Sequence, residues 1–336
     1  MKKIALFASA LFCASLTLFS SCNTSSLLSS LSGGQSKPTL SFEKVSIKTL
    51  DMEGITFGCN YSVKNPYSVG ISLASVAADI SCNDSKLTSI NASDGISIAA
   101  KKSKSNQFDF KVPYDSILNF AKTYKESKTL PFTVKGNVSL DKLPVISTLS
   151  LPFTKNFDVP VFKPSFKLSS PKLILPSATV IAAALVKGGK TNAIKAASLA
   201  KSLITGGTVE DTSLLDGLDL DMKLKFDMNV ANEGGSDWKY ALSSCGIKTD
   251  GQSDLISLDT DGSTEIESSA GTIPLTAKLN TLTSGKFIAQ LLNKSGKNPS
   301  FSLESALSFP SLSYAPNLPL SYSKELPLSS VSRSSE

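Results

Sequence analysis

Apolar and polar positions alternate from Lys37 onward. Leu40, Phe42 and Val45 open the pattern, and Ile55, Phe57, Cys59, Tyr61 and Val63 then interleave with Thr56, Gly58, Asn60 and Ser62. A period of two marks strands with one buried face. The run stops at Asn65-Pro66-Tyr67-Ser68, where proline lacks a backbone donor and asparagine can bond its own turn, so strand followed by turn is the reading. Further strands are expected over 69–80, 95–100 and 108–112. From Tyr114 the spacing becomes helical, with Ile117, Phe120, Ala121 and Tyr124 on one face and Asp115 or Ser116 near the start. Strands resume over 132–140 and 149–157.

The second half repeats this order. Leu224, Phe226, Met228 and Val230 alternate and stop at Asn232-Glu233-Gly234-Gly235, as the earlier run stops at Asn65-Pro66. Leu73-Ala74-Ser75 is echoed by Leu242-Ser243-Ser244. The helix around Ile117 is echoed by 284–292, and Leu151-Pro152-Phe153-Thr154-Lys155 by Leu320-Ser321-Tyr322-Ser323-Lys324. Four echoes in one order predict a tandem duplication. An apparent insertion interrupts the second copy over 177–215. Its alanine-rich stretches 178–186 and 193–204 predict two short helices, separated by Gly188-Gly189 and stopped by Gly206-Gly207. This insertion could cover an open end of a sandwich, act as a lid over a hydrophobic cavity, or touch a membrane or partner.

The N-terminus changes the setting. Met1-Lys2-Lys3 precedes an apolar run over 4–19, the layout of an export signal and shorter than the about 20 residues of a membrane span. Leu18-Phe19-Ser20-Ser21-Cys22 is similar to a bacterial lipobox, with Phe19 where the strict form has Leu, so Cys22 is the expected site of lipidation, including palmitate. Plain secretion with a free Cys22 thiol is the alternative. Residues 23–37, rich in Ser and Gly, read as a flexible tether.

Charge and composition mainly exclude. The chain has 34 Lys plus Arg against 28 Asp plus Glu, and setting aside Lys2 and Lys3 leaves an excess of four. With the lysines scattered, no nucleic-acid partner is expected. The chain has no histidine, which removes imidazole catalysis and histidine metal sites. Cys59, Cys82 and Cys245 lack metal-ligand spacing. Cys59 reads as core, with a Cys59–Cys82 disulfide as the alternative. Asp259, Asp261 and Glu265 do not complete a calcium loop. No catalytic residue, metal or cofactor is expected.

Residues 41–120 resemble the type 2 late embryogenesis abundant proteins, the water-stress and hypersensitive-response domain. The likeness rests on a strand leading into Val63-Lys64-Asn65-Pro66-Tyr67, the following Gly70-Ile71-Ser72-Leu73, and a Phe-x-Phe-x-Val-Pro strand, Phe108 to Pro113, before a helix. Asn232 keeps the asparagine of this turn, whereas Glu233 stands where the proline would be. The resemblance implies a mainly β fold of two tandem antiparallel β-sandwich domains of fibronectin type III character, each with one short helix. The expected division is a lipoprotein signal over 1–22, the tether, a first domain over 38–163 and a second over 164–336 carrying the insertion. The resemblance also implies no catalytic site and a role in desiccation or stress protection. The expectation is a non-enzymatic, lipid-anchored protein of the bacterial cell envelope, with the outer membrane slightly favoured. Its partners would be the membrane and an envelope protein or lipid, and the alternative role is carrier or sensor of a hydrophobic ligand.

Overall fold

The computed structural model describes residues 37–93, 95–143, 148–207, 215, 217–249, 255–312 and 317–336. The expected signal, Cys22 and nearly all of the tether lie outside the described residues. Eight strands form before residue 161: β1 (Thr39–Leu50), β2 (Gly54–Lys64), β3 (Ile71–Cys82), β4 (Ser85–Ala92), β5 (Ile96–Ile98), β6 (Ser103–Pro113), β7 (Thr129–Asp141) and β8 (Thr148–Pro160). They make two antiparallel sheets, β1-β2-β6 and β4-β3-β7-β8, with β5 also on β3. The alternation of β2 buries Ile55, Phe57, Cys59, Tyr61 and Val63. Aromatic side chains close the space between the layers. Phe153 of β8 lies 4.3 Å from Phe42 of β1, and Phe157 lies 5.3 Å from Phe57 and 5.8 Å from Phe110. A fully buried Phe contributes about 1.5–3 kcal/mol, whereas exposed pairs such as Lys86–Asp79 contribute about 0–1 kcal/mol, so the aromatic layer carries the stability.

The remaining strands are β9 (Pro164–Leu168), β10 (Lys172–Leu175), β11 (Asp221–Asn232), β12 (Lys239–Lys248), β13 (Ile256–Ser257), β14 (Asp259–Thr260), β15 (Glu265–Ile266), β16 (Ala270–Asn280), β17 (Ser300–Ser308), β18 (Leu318–Glu325) and β19 (Ser332–Ser335). One sheet runs β14-β16-β11-β10-β19 with β9 also on β11, and the other runs β13-β12-β17-β18 with β15 also on β12. The central orders β1-β2-β6 and β3-β7-β8 reappear as β9/β10-β11-β16 and β12-β17-β18. The likeness extends to irregularities. The pairing of β3 with β7 slips between Leu73 and Ser75, and that of β12 with β17 slips between Leu242 and Ser244, at the echoed tripeptides.

The helices occupy matching places as well. α1 (Tyr114–Tyr124) follows β6, and the fourth helix, α4 (Thr281–Asn293), follows β16. Each ends on a lysine in the left-handed region, Lys125 at φ 57° and Lys294 at φ 50°. Asp115 lies in the first turn of α1 as expected, and the cap position is Pro113, which has no capping side chain. The Tyr114 N–H bonds the Glu53 carbonyl at 3.0 Å instead, so the β1–β2 turn replaces the cap. The strand expected over 95–100 shrinks to β5, since Lys101 at φ 60° turns the chain. β4 was not expected: its polar run Ser-Lys-Leu-Thr-Ser-Ile-Asn-Ala is half-exposed throughout, and Asn83 and Asp84, both at positive φ, form its hairpin turn.

The inserted helices are α2 (Ala178–Lys187) and α3 (Ala193–Thr205), lying between β10 and β11. Ser177 and Asn192 cap their starts, and Gly206 at φ 92° ends α3. Ile181, Leu185, Ala196, Ala200 and Leu203 are buried. The C-terminal strand β19 fixes this hairpin to the sheet. It runs parallel to β10, and Arg333 Nη1 donates to Leu203 O in the last turn of α3 at 3.1 Å and to Gly207 O just past its end at 3.0 Å. Burial holds the Arg333 guanidinium below its ordinary pKa. Truncation after Val331 therefore exposes the edge of β10 and uncaps α3. We expect a loss of about 2–3 kcal/mol, measured by urea unfolding, with self-association of the truncated chain.

Candidate functional site

The asparagine turns are the part of the sequence signature that the fold places most definitely. Asn65 is fully buried at the end of β2. A buried carboxamide needs partners for both ends. Its Oδ1 accepts the Tyr67 N–H at 2.9 Å, and its Nδ2 lies 2.8 Å from Val69 O, 3.1 Å from Ala99 O and 3.2 Å from Ile98 O. The Asn65 N–H donates to Lys102 O at 2.8 Å, and Lys101 Nζ reaches Pro66 O at 2.6 Å. One side chain thereby ties its own turn to the segment before β6.

Asn232, at the end of β11, repeats the arrangement. Its Oδ1 accepts the Gly234 N–H at 2.8 Å, its Nδ2 donates to Ser236 O at 3.0 Å, and its N–H donates to Ser269 O at 2.9 Å. The partners sit two and four residues on, as at Asn65. The loss of proline has a direct cause: the Glu233 N–H donates to Lys163 O at 2.9 Å, a bond proline cannot make. Asn232 Oδ1 also accepts the Lys163 N–H at 3.1 Å.

This second turn is the joint with the first set of sheets. A Cβ on Gly234 would stand 1.9 Å from Val161 O, and one on Gly235 would stand 2.1 Å from Ser127 O, so only glycine admits the approach. Ser236 N donates to Val161 O at 3.0 Å, Val161 N to Lys128 O at 2.9 Å, and Lys128 Nζ pairs with Asp237 at 2.7 Å. Phe162, fully buried, packs against Tyr114 at 5.8 Å, Trp238 at 5.6 Å and Phe309 at 4.9 Å. Sequence reasoning read Gly234-Gly235 only as part of the strand stop and did not single out Phe162. The signal was present in Gly-Gly where the first turn has Tyr-Ser, together with the single tryptophan three residues later.

The cysteines offer little chemistry. Cys59, Cys82 and Cys245 are free and buried, so the alternative of a Cys59–Cys82 disulfide is corrected to two separate core thiols. Burial pushes Cys59 up to about 12 and the other two to about 11, so all remain protonated at neutral pH. Asp259 of the acidic turn pairs with Lys278 at 2.8 Å, and among the described residues no three His, Cys, Asp or Glu converge to hold a metal. Cys22 lies outside the described residues.

Asn65→Ala strands three carbonyls and the Tyr67 N–H, and should cost about 3 kcal/mol, while Asn232→Ala, with fewer partners, should cost about 2 kcal/mol; chemical denaturation reads both. The three buried thiols should resist alkylation at pH 8.5 in the native protein and react once urea unfolds it. Because their folded pKa values are raised, the stability they carry is complete below the ordinary thiol value near 8.5 and falls as pH climbs toward 11–12.

Comparison with known proteins returns to the first asparagine turn. The curated protein Late embryogenesis abundant protein Lea14-A of Gossypium hirsutum is 22% identical over 123 residues, covering 37% of this chain and 81% of its own length. A solution structure from Arabidopsis thaliana shares 21% identity over 38% of this chain and 83% of that one, with a TM-score of 0.33. A crystal structure from Archaeoglobus fulgidus shares 11% over 36% and 97%, with a TM-score of 0.30. The family described as Late embryogenesis abundant protein (LEA_2) matches residues 60–156, the stretch that holds the Asn65 turn, β6, α1 and nearly all of the β4-β3-β7-β8 sheet, and leaves out β1.

Proposed function

We propose that the chain is a non-enzymatic lipoprotein of the bacterial cell envelope, serving as a structural or stress-protective interaction module. The observation that carries this reading is the family match over 60–156, which points to a stress-related or structural role without catalysis. The character of the side chains supports it. The chain has no histidine, its described thiols are buried and protonated, and carboxylates such as Asp51, Asp79 and Asp259 are engaged by lysines at the surface. Among the described residues, no helix is long and apolar enough to cross a membrane, so attachment depends on the Cys22 lipid in this reading. A doubly or triply acylated cysteine would hold firmly, since each buried methylene contributes about 0.8 kcal/mol.

The alternative, a carrier with the insertion as a lid, has less support. The apolar inner positions of α2 and α3 are used in packing, and the groove between the helices, about 680 Å³, opens outward along Ala182, Ala183, Val186 and Ala197. The insertion thus acts as a cover for the end of its sandwich.

Two measurements test the proposal. Cys22→Ala should move the protein from the membrane fraction to the soluble envelope fraction without changing its thermal unfolding, and retention in the membrane would reject the anchor. Cells lacking the protein should survive drying less well and be rescued by the native chain but not by Cys22→Ala. Equal survival without the protein would reject the protective role.

A further inference from the structure

The outer face of the inserted helical hairpin is apolar and basic at once. Opposite the buried Ile181 and Leu185, α2 presents Val180 at 51% exposure and Val186 at 44%, and opposite Ala196 and Ala200, α3 presents Ile194 at 86%. A β-branched side chain that open to water is unusual on a helix whose other face is fully packed, and the three lie on one hairpin. Leu282, 58% exposed, begins α4 at the same end of the unit, where Leu218 packs beneath Gly188 and accepts a bond from Thr281 Oγ1.

Charge identifies what this face fits. Residues 177–207 contain Lys187, Lys190, Lys195 and Lys201 and no carboxylate. Setting aside these four together with Lys2 and Lys3 leaves 28 basic against 28 acidic residues, so the excess positive charge of the chain beyond its leader resides entirely in the hairpin. Lys187 and Lys190 bracket the turn at its tip, and Val186 and Ile194 stand just behind them. Exposed apolar side chains interspersed with lysines, on a short helical element without acids, complement a surface that is negative outside and apolar a few ångströms within. A protein partner would need an acidic rim around an apolar hole, whereas an anionic bilayer offers both over any area.

We propose that the α2–α3 hairpin docks on anionic phospholipid bilayers, seating Val186 and Ile194 among the acyl chains and Lys187, Lys190, Lys195 and Lys201 at the headgroups. This contact is separate from the lipid proposed at Cys22.

A probe at the hairpin separates this contact from the lipid anchor proposed at Cys22, which would hold the chain on membranes by itself. In the full chain, Ile194→Trp adds a second indole, while Trp238, 3% exposed in the core, supplies a constant background. Vesicles of phosphatidylcholine with about one-third phosphatidylglycerol, carrying brominated acyl chains, should quench the new indole. Pure phosphatidylcholine vesicles should not. Changing the four lysines to glutamine should weaken partition by roughly fivefold for each lysine lost. Quenching should persist with Cys22→Ala, so failure of the anchor leaves this proposal standing. Absence of quenching in anionic vesicles that still sediment the protein would overturn it, as would equal quenching in neutral ones. A concentration-dependent blue shift without lipid would overturn it in favour of a second copy of the chain on the same face.

Discussion

Burying a carboxamide is tolerable only when the fold brings hydrogen-bond partners to both of its ends, and both halves of this chain meet that condition at a matching turn. Asn65 and Asn232 each stop a central strand and fold the next four residues around the side chain, and the main-chain N–H of each holds the turn against the segment that leads into the neighbouring strand, β6 or β16. Without that bond set, the crossing from one sheet to the other would leave several main-chain groups buried and unpaired. Strand ends, crossover and register thus follow from one polar side chain at the margin of each apolar core.

The second asparagine carries an extra duty, which explains its different neighbours. At Pro66 the turn faces its own unit and water, and a missing N–H costs nothing. At Glu233 the same position must donate to Lys163, and the following glycines bring main chain against main chain at Val161 and Ser127. Phe162 then fills the space among Tyr114, Trp238 and Phe309. A departure from the expected motif therefore marks the place where the second turn meets the first set of sheets.

Much of this was legible in the sequence because it rests on local period. β2 and β11 follow uninterrupted alternation, α2 and α3 follow alanine-rich runs between glycine pairs, and the echoed tripeptides fall on matching bulges. What escaped was set by distant partners. β4 is too polar to announce itself and exists because β3 pairs with it. β14 and β15 are two-residue strands defined by their neighbours. Pro113 begins α1 without a cap because Glu53, far back in the chain, takes the orphaned N–H. The asparagines were readable as turn formers, but their burial and the role of Phe162 depend on contacts between segments that no periodicity encodes.

The parallel pairing of β10 with β19 has a consequence for how such a chain is made. β10 forms early in the second unit, yet its outer neighbour comes from residues 332–335, after every other strand has been laid down. During synthesis, that edge must wait, with its main-chain donors and acceptors open, until the intervening sheets have been made. Completion of the unit is thereby gated by the arrival of its final segment. The same residue that caps the hairpin, Arg333, arrives only then, so the helical element is secured after the strands that precede β19 have been made.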